Sequence, residues 1–125
     1  MIITKKGVKY MESKEKAKLI CQTLSNKKAY DIIKIDVSEK TILADYFIIA
    51  SGKSSPQVKA LAEYAMEAVE KQGGEVRRKE GLTEGRWVVV DFGDVILHIF
   101  HDETRLFYNL ERLWVGSDNV EKFED

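Results

Sequence analysis

Residues 87–100, WVVVDFGDVILHIF, form two apolar runs joined through Asp91-Phe92-Gly93-Asp94, and no other stretch restricts the fold as much. Glycine followed by aspartate between two strand-like runs is a two-residue hairpin signal. With Gly93-Asp94 as the turn, Phe92 faces Val95, Val90 faces Leu97 and Val88 faces Ile99. Side chains alternate along a strand, so that face is wholly apolar and must be core. The opposite face then carries Trp87, Val89, Asp91, Ile96, His98 and Phe100. Asp91 and His98 become diagonal neighbours there, roughly 7–8 Å apart between backbones. Asp94 lies in the turn and points elsewhere, so the two aspartates do not converge on one metal ion. A four-residue loop would change this register.

The remaining chain reads as elements that pack onto this hairpin. Ala17, Ile20, Cys21 and Leu24 recur three and four apart within residues 14–25, the spacing of a buried helical stripe. Ile33, Ile35 and Val37 alternate with Lys34 and Asp36, the pattern of a half-exposed strand. Residues 46–50, YFIIA, show no alternation, which predicts a strand covered on both faces. Ser55 as cap, Pro56 in the first turn and Gly73-Gly74 at the end bound a second helix, with Val58, Leu61, Ala62, Ala65 and Val69 as its buried stripe. A short strand over residues 75–79 makes residues 46–79 a strand-helix-strand crossover. Leu106, Phe107, Leu110, Leu113 and Trp114 predict a last helix. The expected order is α-β-β-α-β-β-β-α. This is an α/β (α+β) single domain with a mixed five-stranded sheet flanked by helices. Residues 1–13 read as a flexible extension, 14–115 as the domain and 116–125 as a polar, frayed tail.

Charge narrows the function. Twenty basic and twenty-one acidic residues, interspersed to a net charge of −1, argue against naked nucleic acid as the main partner. Lys5-Lys6, Lys27-Lys28 and Arg77-Arg78-Lys79 read as solvated surface. One cysteine, Cys21, excludes an internal disulfide framework and reads as a buried, inert thiol. No apolar run approaches a membrane span, and the opening MIITKKGVKYM lacks the long apolar centre of a secretory signal, so the cytoplasm is the expected compartment.

Catalytic readings weaken one by one. SGKSS (51–55) evokes a phosphate loop, but that pattern needs glycine where Phe47 stands. The helix start at Ser54-Ser55 could accept an anion, although plain capping explains it as well. His98 and His101 are offset by three along a strand and so face opposite ways, and no metal site is expected. Asp36 and Asp45 flank a loop, where turn formation and capping suffice. The face bearing Trp87 is too apolar for solvated surface, yet Asp91 and His98 are too polar for ordinary core. Either a helical lid covers it, with Asp91 and His98 bonded to each other, or it is a protein-docking patch with an aromatic anchor.

Three blocks carry a resemblance: DYFIIASGKSSPQVKALAEYA (45–65), EGRWVVVDFGDVILHIF (84–100) and RLFYNLERLW (105–114). In that order, within a match over about residues 14–115, they resemble the ribosomal silencing factor family, also called Iojap. The resemblance implies a small α/β fold related to nucleotidyltransferases, with no cofactor or metal and no chemical step. It implies binding to the fourteenth protein of the large ribosomal subunit, exclusion of the small subunit and lowered translation when nutrients run short. By position it places Trp87, Asp91, Asp94 and His98 at the contact, with Glu80 and Gly81 near by, and gives Asp45, Arg105, Tyr108 and Glu111 to holding the fold. An exposed apolar patch could also pair two free copies as a homodimer. The alternative is a nucleotidyltransferase-like enzyme or nucleotide-binding protein. Against it, Ser51-Gly52 reverses the glycine-serine turn of such enzymes, and arginines occupy residues 77–78 where metal-binding carboxylates belong.

Overall fold

A computed structural model describes residues 2–5, 8–108 and 119–123. Strands β1 (Ile2–Lys5) and β2 (Val8–Met11) pair antiparallel as a separate two-stranded sheet. Then follow α1 (Ser13–Asn26), β3 (Tyr30–Asp36), β4 (Tyr46–Gly52), α2 (Ser55–Lys71), β5 (Arg78–Glu80), β6 (Trp87–Asp91), β7 (Val95–His101), α3 (Asp102–Tyr108) and β8 (Val120–Lys122). The main sheet has six strands in the order β5-β6-β7-β4-β3-β8.

The centre of this sheet is the parallel pair β4 and β7, which explains the unbroken apolar run in β4: every residue from Phe47 to Gly52 is buried. The hairpin register is the one the Gly-Asp turn dictates. Trp87 pairs with Phe100, Val89 with His98 and Asp91 with Ile96, and the Phe92 amide donates to the Val95 carbonyl at 2.9 Å. The crossover from β4 through α2 does not return to a neighbouring strand. It runs past β7 and β6 to β5 at the sheet edge, where Arg78, Lys79 and Glu80 are all exposed. Three charged side chains on a short edge strand discourage pairing with another chain.

Two apolar clusters lie on opposite faces of the sheet. The larger combines the predicted stripes of α1 and α2 with Ile32, Ile48, Ala50, Val88, Val90, Phe92, Val95, Leu97 and Ile99. The smaller gathers Ile33, Ile35, Val37, Ala44, Phe47, Ile49 and Phe100, with Trp87, Ile96 and Val120 partly buried against it. A bulge between Tyr30 and Ile33 turns Ile32 and Ile33 into different clusters. Cys21 is buried in the larger one, and desolvation pushes its thiol up to about 12, so it stays protonated and inert at neutral pH.

The strand count corrects the expected five. The sixth, β8, comes from the polar tail that read as frayed, and it pairs antiparallel with β3 through Ile35 and Val120. Sheet pairing is made by backbone groups, so a polar segment with one apolar residue can join an edge. Val120 is partly buried, Lys34 meets Glu121 at 3.3 Å, and the Asp36 amide donates to the Asn119 carbonyl at 2.8 Å. The last helix is described only as α3, so Leu110, Leu113, Trp114 and Glu111 lie outside the described residues. Among the described residues, no helix is long and apolar enough to cross a membrane.

Candidate functional site

The paired registers of β5, β6 and β7 set Arg78 and Glu80, then Trp87, Val89 and Asp91, then Ile96, His98 and Phe100 on one face. This face is closed in its middle and open along its rim. Phe100 and Ile49 are fully buried and His98 is only 8% exposed, whereas Trp87, Val89, Asp91 and Ile96 are half-buried. His98, placed at the contact by resemblance, therefore lies beneath the face rather than on it.

Trp87 is held from two sides. Its indole stacks on Phe100 with ring centres 5.0 Å apart, and its Nε1–H donates to Nδ1 of His98 at 3.1 Å. His98 thus bonds to Trp87 and not to Asp91, the partner one reading expected. Both are diagonal neighbours of His98 in this register, so the register alone does not choose between them. Asp91 is drawn elsewhere: its carboxylate accepts the Gly93 amide two residues on, at 2.7 Å. That local turn bond is always within reach and outcompetes a longer one. Desolvation pushes the His98 imidazole down to about 4, so it is neutral at physiological pH.

Asp94 has a structural duty as well. Nζ of Lys16, a helix residue only 8% exposed, donates to the Asp94 carboxylate at 2.7 Å and to the Phe92 carbonyl at 3.1 Å. The Asp94 carbonyl in turn accepts the Asp45 amide at 2.7 Å. The β6-β7 turn is thereby tied to α1 and to the start of β4. Sequence reasoning missed this lock because Lys16 sits beside the apolar stripe, and a long alkyl stem with a bonded tip reads as solvated surface.

The other expected contact residues gather around Trp87. Glu80 is exposed on β5 beside Val89. Gly81 begins a loop that closes with the Gly85 amide donating to the Gly81 carbonyl at 2.9 Å. Its φ is +85°, and a Cβ there would stand 2.1 Å from the Trp87 carbonyl oxygen. An open groove of about 690 Å³ runs beside the indole, lined by Gly81, Thr83, Glu84, Arg86, Trp87, Glu103 and Thr104. The candidate set therefore divides along β6: Trp87, His98, Glu80 and Gly81 at one end, Asp91 and Asp94 at the other. Four residue-to-residue steps along β6 separate Trp87 from Asp91 by about 13 Å. One standard protein interface covers roughly 800 Å² per partner and reaches both ends.

The features that suggested chemistry have local explanations. At the start of α2, the Ser54 hydroxyl accepts the Gln57 amide at 3.2 Å and the Ser54 carbonyl accepts Val58 at 3.0 Å. Pro56 has no N–H, so of the first-turn amides only that of Ser55 is left for an anion. Asp36 accepts the Ser38 hydroxyl at 2.6 Å and the Ser38 amide at 3.0 Å, bonds that hold its carboxyl below the usual range. Arg105 donates to the buried Ser51 hydroxyl at 2.8 Å and pins α3 to the end of β4. No group of three or more His, Cys, Asp or Glu among the described residues is placed to hold a metal ion. Ile42 and Leu43, which sequence reasoning did not single out, are exposed in the β3-β4 loop.

Comparison with known proteins fits this geometry into a wider set. The family model described as Ribosomal silencing factor during starvation matches residues 10–125. Ribosomal silencing factor RsfS of Halalkalibacterium halodurans is 37% identical over 111 residues, covering 89% of this chain and 95% of that protein. Mitochondrial assembly of ribosomal large subunit protein 1 of Mus musculus is 31% identical over 99 residues, covering 77% of this chain and 43% of that one. A crystal structure of a Chromobacterium violaceum protein superposes with a TM-score of 0.83 at 36% identity, covering 92% of this chain and 95% of that chain.

Proposed function

The chain belongs to the ribosomal silencing factor family, and on that premise we propose that it docks on the fourteenth protein of the large ribosomal subunit. Seated there, it bars the small subunit and represses translation under nutrient limitation, in the cytoplasm and without a chemical step. The observation that carries this reading is the family match across residues 10–125. Trp87 is the anchor of the contact: a large, half-buried aromatic, already ordered by Phe100 and His98, on the open rim of a face whose middle is closed. Such residues dominate protein interfaces because they bury much area at little entropic cost. Docking on a protein seat also explains how a ribosome-associated chain can carry a net charge of −1. Exclusion of the small subunit is steric, so it requires only that the domain occupy the surface where the subunits meet.

Trp87→Ala should weaken binding to purified large subunits by about 2 kcal/mol, with the fold retained. Co-sedimentation with large subunits measures the first, and the urea midpoint checks the second. Undiminished binding by a folded Trp87→Ala protein would reject this anchor.

A further inference from the structure

The inference rests on the docking reading above and concerns what holds its anchor in place. His98 is on β7 opposite Val89, two pairs along from Trp87 and Phe100 and so on the same face. Its ring centre lies 5.4 Å from Phe47, 6.0 Å from Trp87 and 6.5 Å from Phe100. Because Nδ1 accepts the indole proton at 3.1 Å, a neutral imidazole must carry its own proton on Nε2. That Nε2 is enclosed and has no hydrogen-bond partner among the described residues.

An orphaned buried donor is unfavourable, and native structures contain few. Leucine or phenylalanine would pack among Phe47, Phe100 and Ile49 and would leave no orphaned Nε2–H beneath the face, at the cost only of the acceptor for the Trp87 indole. Packing therefore does not explain an imidazole at this position. What the imidazole supplies, and a hydrocarbon does not, is an acceptor beneath the indole of Trp87.

We propose that His98 is a positioning residue: its Nδ1 fixes the orientation in which Trp87 is presented to the partner protein. The anchor is then ordered before docking, and the partner need not immobilise it. Loss of that order should weaken binding between about 2- and 10-fold, the equivalent of immobilising one side chain.

The test uses the full chain with His98→Leu, His98→Phe and His98→Asn, the last chosen because its amide oxygen can take the place of Nδ1. The Trp87 indole N–H is followed by NMR, assigned by its disappearance in Trp87→Phe, and binding is measured to purified large subunits. In the apolar variants the indole proton should exchange faster with solvent and binding should fall, while the urea midpoint holds or rises. In His98→Asn, indole protection and binding should both return towards the original. Unchanged indole exchange in a folded apolar variant would overturn the proposal, as would unchanged binding where Trp87→Ala loses it. Failure of both apolar variants to fold would overturn it too, by making the imidazole structural. Normal binding by Trp87→Ala would instead remove the docking site itself, and this inference with it.

Discussion

Gly81→Ala should destabilise the protein by about 3 kcal/mol, among the largest effects of any conservative change in it. Two causes add. Gly81 has φ +85°, a conformation that costs an L-residue about 1 kcal/mol. The new Cβ would also stand 2.1 Å from the Trp87 carbonyl oxygen, 3.1 Å from its carbonyl carbon and 3.3 Å from the Val88 Cα. These are backbone atoms of a paired strand, so they cannot swing aside as the end of a side chain can. Gly93→Ala separates the two causes. Gly93 has φ +97°, but its nearest neighbours are Arg77 side-chain atoms, the closest at 3.5 Å. It should therefore lose about 1 kcal/mol, the conformational part alone. Urea unfolding of both variants gives the comparison, and equal losses would show that the contact with β6 is unimportant. Because the collision falls on Trp87, the folded fraction of Gly81→Ala should also bind large subunits less well.

Stability should fall by roughly 3 kcal/mol between pH 7 and pH 4 on account of His98 alone. Desolvation lowers the imidazole from 6.5 to about 4, so between these values the unfolded chain takes up a proton that the folded one refuses. The contribution is complete above 6.5 and is lost as pH falls towards 4. Among the described residues no carboxylate compensates: Asp91, on the next diagonal, is turned to the Gly93 amide. Asp36 and Asp102 are also held below the ordinary carboxylate value, so they add acid sensitivity, but further down the scale. The difference between the original protein and His98→Leu isolates the histidine. Urea midpoints of the two should run parallel above pH 7 and diverge below 6.5, the original falling faster. Parallel curves down to pH 4.5 would mean that the imidazole is not desolvated as its burial implies.

The parts of the fold legible in the sequence were those fixed by short-range pattern. A glycine-aspartate turn between alternating runs set the β6-β7 register, and three-four spacing set the buried stripes of α1 and α2. What escaped was decided by backbone or by distance. Strand β8 joins through main-chain groups that a polar sequence does not advertise. The landing of β5 beyond two intervening strands depends on which edge is free, and no local pattern encodes that.

The candidate site divides the same way. The resemblance singled out Trp87, and its half-buried position between Phe100 and His98 suits an anchor. Asp91 and Asp94 are both occupied by the turn they build, Asp91 through Gly93 and Asp94 through Lys16. Lys16 is 78 residues from Asp94 in sequence, and nothing in the hairpin pattern could have named it.

The most direct test of the whole account is to mix purified small and large ribosomal subunits with increasing amounts of the protein and resolve them on a sucrose gradient. The account predicts that joined ribosomes decline as the protein rises, with the protein co-migrating with large subunits and Trp87→Ala shifted to higher concentration. Undiminished joining at a concentration that saturates the large subunit would contradict it.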